Sequence, residues 1–281
     1  MNLSQETRFI MNKYGITANK AYGQNFLIDE DAVSSIVEKA EVNKDDLIIE
    51  IGPGLGTLTY LLLERAGKVI SIELDPNMIK ILNDRFSLYE NFELINEDIL
   101  KVDLNKLIND NSNYKHVKVV ANLPYYITTP IIMKLLESKY DLESITVMVQ
   151  KEVALRLTDT PGGDETGAIT YSINYYTSPA LVLDVSKESF MPVPKVDSSV
   201  IKLTLLKEPP VKVKDEKFFF KVIKCAFLQK RKTLVNSLSN NKVASKDELE
   251  SILEKLNIDL KIRAEKLSLE DFASLSNMLY K

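Results

Sequence analysis

The chain of 281 residues is 45% hydrophobic and 27% charged, an ordinary globular balance with room for one large domain or two smaller ones. No run of about 18 apolar residues exists, which excludes a helical membrane span. One cysteine, Cys225, excludes an intrachain disulfide, and with a single histidine, His116, it excludes a metal site built on several Cys or His ligands. The net charge of −4 divides unevenly: residues 1–206 hold 20 basic and 29 acidic groups, residues 207–281 hold 16 and 11, so an acidic body precedes a basic tail suited to a polyanion. The opening residues, MNLSQETRFIMNKYG, lack the apolar stretch of a secretory signal, and a cytoplasmic, reducing compartment is expected.

Strands are predicted over Asp46–Ile51, Lys68–Leu74, Phe92–Asn96, Val117–Ala121 and Ile145–Gln150, from short runs rich in Val and Ile. Helical patterns separate most of them, over Thr57–Arg65, Met78–Phe86 (opening near Pro76), Val102–Asn109 and Pro130–Ser138. This alternation predicts an α/β fold with a mainly parallel sheet. After Gln150 the pattern changes. Pro161-Gly162-Gly163 makes a turn, a helix follows, and Ala180–Val185 with Val200–Leu206 form an antiparallel hairpin at one sheet edge. Glu208-Pro209-Pro210 reads as a linker, and everything beyond it has helical period. The predicted domains are therefore 1–206, with 1–22 as an N-terminal extension, and 207–281.

The turn between the first strand and its helix reads Glu50-x-Gly52-x-Gly54-x-Gly56. Glycine lets backbone N–H groups approach a ligand closely. Thr57 stands where the third glycine of the dinucleotide fingerprint would be, so the loop misses the NAD pattern and matches that of S-adenosylmethionine enzymes. Glu73 ends the second strand, where an acid can accept from both ribose hydroxyls. Asp98 follows the third strand and is placed to meet an exocyclic adenine amine. These acids and the glycine loop fall on one sheet edge, where open α/β sheets bind ligands.

Asn122-Leu123-Pro124-Tyr125 directly follows the fourth strand. It suits methylation of an amine conjugated to a ring. Such a nitrogen is a poor nucleophile because its lone pair is delocalised, and two acceptors on its N–H groups favour a more pyramidal, reactive form. Asn122 offers a side-chain oxygen and Leu123 a backbone carbonyl. Pro124 restricts Leu123 to an extended conformation that aims this carbonyl, and Tyr125 can stack on the base. Catalysis would be positioning and hydrogen-bond alignment. The target base must be unstacked or flipped, and Tyr125, Tyr126 and Phe190 are the candidate stacking faces. Phe190 opens a proline-stiffened segment, Phe190-x-Pro192-x-Pro194-Lys195, that carries a cation.

Together these motifs resemble the KsgA-type small-subunit ribosomal RNA adenine dimethyltransferases over nearly the whole chain. The similarity runs through Gly23-Gln24-Asn25-Phe26-Leu27, Glu50–Gly56, Ile72-Glu73-Leu74-Asp75, Asn122–Pro130, Val149–Val153, Phe190–Ser198, Arg231-Lys232-Thr233-Leu234 and Arg263–Ser268, in order. The resemblance implies a Rossmann-like S-adenosylmethionine-dependent methyltransferase domain with a mainly parallel seven-stranded sheet, then a small all-helical RNA-binding domain. It implies cofactor contacts at Asn25, Leu27, Gly52, Gly54, Glu73, Asp98 and Asn122, with no metal. It places the target N6 at Asn122, Leu123, Pro124 and Tyr125, with Phe190 on the opposite face of the base. The implied reaction dimethylates two adjacent adenosines in the 3′-terminal hairpin loop of 16S rRNA, on a small-subunit assembly intermediate, with the enzyme as a monomer. Val235 departs from the family, which often has arginine there, and removes a phosphate contact.

Phe218–Leu238 reads as one helix, or two joined by a kink. Lys217, Lys221, Lys224 and Arg231 recur on one face, and with Lys195, Lys230 and Lys232 they are the expected RNA contacts, reading phosphate and shape. Two alternatives stand beside this reading. One is a large-subunit rRNA adenine methyltransferase of the macrolide-resistance type, although Gly-Leu-Gly differs from the Gly-Lys-Gly usual there. The other is a non-catalytic ribosome-assembly or RNA-binding factor, which the intact Asn122–Tyr125 segment disfavours.

Overall fold

The computed structural model describes residues 2–19 and 22–281. Positions 1, 20 and 21 of the N-terminal extension lie outside them. The elements in chain order are α1 (Leu3–Tyr14), β1 (Phe26–Leu27), α2 (Glu30–Lys39), β2 (Asp46–Ile51), α3 (Thr57–Arg65), β3 (Lys68–Glu73), α4 (Pro76–Phe86), β4 (Phe92–Asn96), α5 (Leu104–Asp110), β5 (His116–Asn122), α6 (Thr128–Glu137), β6 (Ser144–Gln150), α7 (Lys151–Thr158), α8 (Ala168–Tyr176), β7 (Thr177–Val185), β8 (Phe190–Met191), β9 (Ser198–Leu205), α9 (Glu216–Phe227), α10 (Leu234–Asn240), α11 (Lys246–Lys255) and α12 (Leu269–Leu279). No helix among the described residues is long and apolar enough to cross a membrane.

Seven strands form one sheet in the order β4-β3-β2-β5-β6-β9-β7. β2 pairs in parallel with β3 and β5, β3 with β4, and β5 with β6, while β9 runs antiparallel to β6. All six residues of β2 are buried, the signature of a strand covered on both faces. The chain winds outward through β3 and β4, then restarts on the other side of β2 at β5. The order reverses between β2 and β5, so a crevice opens beyond Ile51 and Asn122.

The helices start where the sequence offers caps. The Asp29 side chain accepts from the Ala32 N–H at the head of α2, and the Asp75 side chain accepts from Asn77 N–H at the head of α4, with Pro76 in its first turn. Of the described residues of the N-terminal extension, Leu3–Tyr14 form a helix. α1 carries a reciprocal Asn2/Gln5 capping box and ends at Gly15 in the left-handed conformation. Ile10 of α1 joins the apolar cluster that includes Val33, Ile36, Leu62, Leu82 and Phe86.

The chain divides into two compact units, residues 1–154 with 180–205, and residues 155–179 with 206–281. The second division falls beside the boundary read at 207. The first has no counterpart in a single cut. Segment 155–179 groups with the later residues because α8 finds its packing partners there. Tyr171 is fully buried, its hydroxyl donates to the Ala264 and Leu267 carbonyls at 3.1 and 2.7 Å, and its ring meets Phe272 edge-on at 4.8 Å.

Within this second unit the stretch read as one helix, or two joined by a kink, forms two helices separated by residues 228–233. α9 ends at Phe227 and α10 begins at Leu234, where the Thr233 side chain supplies the N-cap. Lys217, Lys221 and Lys224 share the exposed face of α9, opposite buried Phe219, Val222, Ile223 and Ala226. Arg231 lies in the connection with Lys230 and Lys232, all exposed, so the helical stripe stops at Lys224. Val235 is buried in the unit's core beside Leu234 and Leu238, so it fills space there.

Candidate active site

A cavity opens at the reversal point of the sheet. Its wall comes from the carboxyl ends of four strands: Glu50 to Gly54 at the end of β2, Glu73 at the end of β3, Glu97 and Asp98 just after β4, and Asn122 to Tyr126 at the end of β5. The segment Tyr22–Leu27 closes another side. Of the residues expected at the cofactor, Asn25, Leu27, Gly52, Gly54, Glu73, Asp98 and Asn122 all line it. So do Leu123, Pro124 and Tyr125.

The glycine turn is held in a form that few other residues allow. Gly54 and Gly56 have φ of 58° and 84°. The Gly56 N–H donates to the Pro53 carbonyl at 2.9 Å, and the Gly54 N–H points to Glu73 Oε2 at 3.3 Å. Glu73 Oε1 accepts from the N–H groups of Leu74 and Asp75, both at 2.8 Å. Burial raises the Glu73 carboxyl above its usual range, and these backbone donors oppose the shift. The carboxylate is thus aimed by the backbone and keeps lone pairs for a ligand.

Glu50 is 1% exposed. Its Oε2 accepts from the Thr59 and Ser71 hydroxyls, each at 2.7 Å, while Oε1 has no partner among the described residues. Burial, opposed by Ser71 and Thr59, pushes the carboxyl from its ordinary 4.5 to about 7. The folded protein then holds a proton that the unfolded chain releases between those pH values. This contribution to stability is complete below about pH 4.5 and is lost as pH rises through about 7. Glu50→Gln is expected to remove about 2 to 3 kcal/mol of pH dependence across that window, read from urea unfolding at pH 5 and pH 8. Equal slopes for both proteins would reject the assignment.

Asn122 ends β5, and its Nδ2 donates to the Asn25 carbonyl at 3.3 Å. That contact leaves Oδ1 as the accepting atom of the amide. The Leu123 N–H donates to Met148 O, and Pro124 has φ −60° and ψ 128° before the single helical turn Tyr125–Ile127. The Pro124 carbonyl accepts from the Thr128 hydroxyl at 3.1 Å, which locks the segment from behind. Tyr125 OH shares a 2.7 Å hydrogen bond with Ser198 Oγ, and Ser198 is fully buried on β9. Burial raises the Tyr125 phenol, so it stays neutral. Ser198 closes the proline-stiffened segment that carries Lys195, and its hydroxyl is the group that holds Tyr125. Tyr126 is 56% exposed at the cavity edge, its ring against Gly23.

Phe190 is not in the cavity. It is 1% exposed, and β8 pairs antiparallel with β1 so that Leu27 faces Phe190. The pairing draws its ring into the apolar cluster with Phe26, Leu27, Met148 and Val200. Its ring lies behind Leu27 in this structure, outside the set of residues that line the cavity. Lys195, four residues beyond β8, is exposed.

A mainly parallel seven-stranded sheet with an antiparallel β9, and an acid-lined cavity at its reversal point, define a Rossmann-like methyltransferase fold. The family model described as ribosomal RNA adenine dimethylase matches residues 15–281. A ribosomal RNA small subunit methyltransferase A from Clostridium botulinum (strain ATCC 19397 / Type A) is 50% identical over 274 residues, 98% of each chain. Among solved structures, a dimethyladenosine transferase from Plasmodium falciparum is 27% identical, with a TM-score of 0.74, over 89% of this chain and 95% of that one. The 23S rRNA methyltransferase ErmE is 26% identical, with a TM-score of 0.70, over 91% of this chain and 99% of that one. The chain belongs to the ribosomal RNA adenine dimethylase family.

Proposed function

We propose that the protein transfers methyl groups from S-adenosylmethionine to N6 of two adjacent adenosines in the 3′-terminal hairpin loop of 16S rRNA, during small-subunit assembly. The observation that carries this reading is the Asn122–Tyr125 segment set into the acid-lined cavity, with Asn122 Nδ2 engaged by Asn25 and Oδ1 left to accept. The choice of the small subunit rests on the 50% identity across 98% of the Clostridium botulinum relative.

The cavity's donor set fits the cofactor. Glu73 suits two ribose hydroxyls and Asp98 an adenine amine. Asn25, Leu27, Gly52 and Gly54 supply close walls, and the unpartnered Glu50 Oε1 suits a cationic group. When bound, S-adenosylmethionine supplies an electrophilic sulfonium methyl. Asn122 Oδ1 and the Leu123 carbonyl accept the two N–H bonds of the target amine and turn its lone pair toward the methyl. Tyr125, held by Ser198, presents a ring face to the flipped base. Transfer would break the sulfonium S–CH3 bond, release S-adenosylhomocysteine and leave a cationic amine, whose surplus proton passes to solvent because amide oxygens are too weakly basic to hold it. Lys221 and Lys224 on α9, with Lys230, Arg231 and Lys232 after it and Lys195 near β8, bind phosphates in a salt-sensitive manner.

The test is nucleoside mass spectrometry on small subunits from a strain that lacks the modification, incubated with the protein and labelled S-adenosylmethionine. N6,N6-dimethyladenosine at the two adjacent loop positions is expected. Product on large-subunit RNA alone would favour the other target class, and absence of product on every RNA would reject the enzyme reading.

A further inference from the structure

Arg85, on the last turn of α4, was given no role by the sequence and does not touch the cavity. Its Nη1 donates to the Leu55 carbonyl at 2.7 Å, and its Nη2 pairs with Glu6 of α1 at 2.5 Å. The side chain is only 19% exposed. Leu55 sits inside the glycine turn. A peptide unit is planar, so fixing the Leu55 carbonyl also fixes the Gly56 N–H, which closes the turn on Pro53. The same turn delivers the Gly54 N–H to Glu73. α1 is anchored on either side of Glu6 by bonds that do not involve Arg85: the Leu3 N–H donates to Glu30, and the Tyr14 hydroxyl donates to Asp84 at 2.9 Å. A second cavity, lined by Leu3, Glu6, Tyr60 and Arg85 among others, lies beside the guanidinium, whose Cζ also stands 5.3 Å from the Phe86 ring centroid.

We propose that α1 acts as a brace for the cofactor turn and that Arg85 is the positioning residue that transmits it, from Glu6 to the Leu55 carbonyl. This rests on the cofactor reading of the cavity given above. The first helix then contributes to cofactor affinity as well as to the apolar core. Arg85→Met keeps the apolar stem and removes both bonds. Glu6→Gln breaks the charge pair while leaving the Leu55 contact.

The probe is S-adenosylhomocysteine binding by calorimetry, with cooperative melting checked for each variant. Arg85→Met is expected to weaken binding about tenfold and Glu6→Gln about threefold, as loss of a charge-assisted bond allows. Arg85→Lys, which can still reach one acceptor, should recover part of the loss. The double variant should bind no more weakly than Arg85→Met alone, because Glu6 acts through Arg85. With labelled S-adenosylmethionine and small subunits, KM for the cofactor should rise while the rate at saturation and KM for the subunits stay within twofold. Unchanged binding in a folded Arg85→Met protein would overturn the proposal. So would additive losses in the double variant, which would mean that the two residues act separately. If Arg85→Met does not fold, full affinity in Glu6→Gln overturns it. Failure of the unaltered protein to bind would instead remove the cofactor reading itself.

Discussion

Asn122→Ala is expected to lower the rate of methyl transfer by about 10²- to 10³-fold, the usual cost of removing one preorganised polar partner from a reacting centre. The change deletes the Oδ1 acceptor and the 3.3 Å contact to the Asn25 carbonyl. It leaves β5 in register with β6, because Ala121 and Asn122 pair with Val147 and Met148 through the backbone. Melting should therefore remain cooperative, and S-adenosylhomocysteine affinity should fall by no more than a few-fold. Single-turnover transfer to small subunits is the measurement that separates chemistry from binding. An intact single-turnover rate would reject the acceptor role, and an equal loss of cofactor affinity would reassign Asn122 to binding.

The second large effect is on folding. Gly56→Ala is expected to destabilise the protein by about 4 kcal/mol, combining left-handed strain of about 1–2 kcal/mol with overpacking of about 1–3 kcal/mol. A Cβ at Gly56 would lie 2.4 Å from Phe86 Cε2 and 3.1 Å from Leu82 Cδ2. Phe86 cannot give way easily. It is 2% exposed and packs edge-on against Tyr89 and Phe92 at 5.9 and 5.4 Å. Gly54→Ala makes a useful contrast. Its Cβ would meet the Phe26 ring at 3.4 Å, ordinary contact, so only the backbone term applies. Urea unfolding should rank Gly56→Ala well below Gly54→Ala in stability. Equal values would show that the Phe86 side yields more than its packing implies.

These outcomes bear on different parts of one assembly. Asn122 tests the reacting end of the cavity and Gly56 tests the turn that shapes it. The Glu6–Arg85 pair tests what holds that turn from outside. A protein that loses turnover only at Asn122, stability most at Gly56 and cofactor affinity through Arg85 would have these duties separated in space, as the geometry predicts.

Much of the catalytic half was legible in the sequence because its signals are local. Leu47–Ile51 is an apolar run interrupted only by Glu50, and a parallel strand buried on both faces needs such a run. Glu50–Gly56 carries its own turn chemistry, and Asn122–Tyr125 its own conformational restriction at Pro124. The positions of Glu73 and Asp98 follow once strands and helices alternate, because every parallel strand ends on the same sheet edge. What only the tertiary structure decided is the choice of partner between segments far apart in the chain. Phe190 looks in sequence like a stacking face, but its β8 strand pairs with Leu27 and buries the ring. Residues 155–179 follow β6, the fifth strand of the sheet, yet Tyr171 satisfies its hydroxyl at Ala264 and Leu267. Val235 resembles a missing arginine until the core of the second unit encloses it. Arg85 is one more charged residue on a helix until Glu6 and Leu55 meet it from two other elements. Local pattern specifies what a segment forms, whereas burial and hydrogen-bond satisfaction, settled only when distant segments meet, specify what its side chains touch.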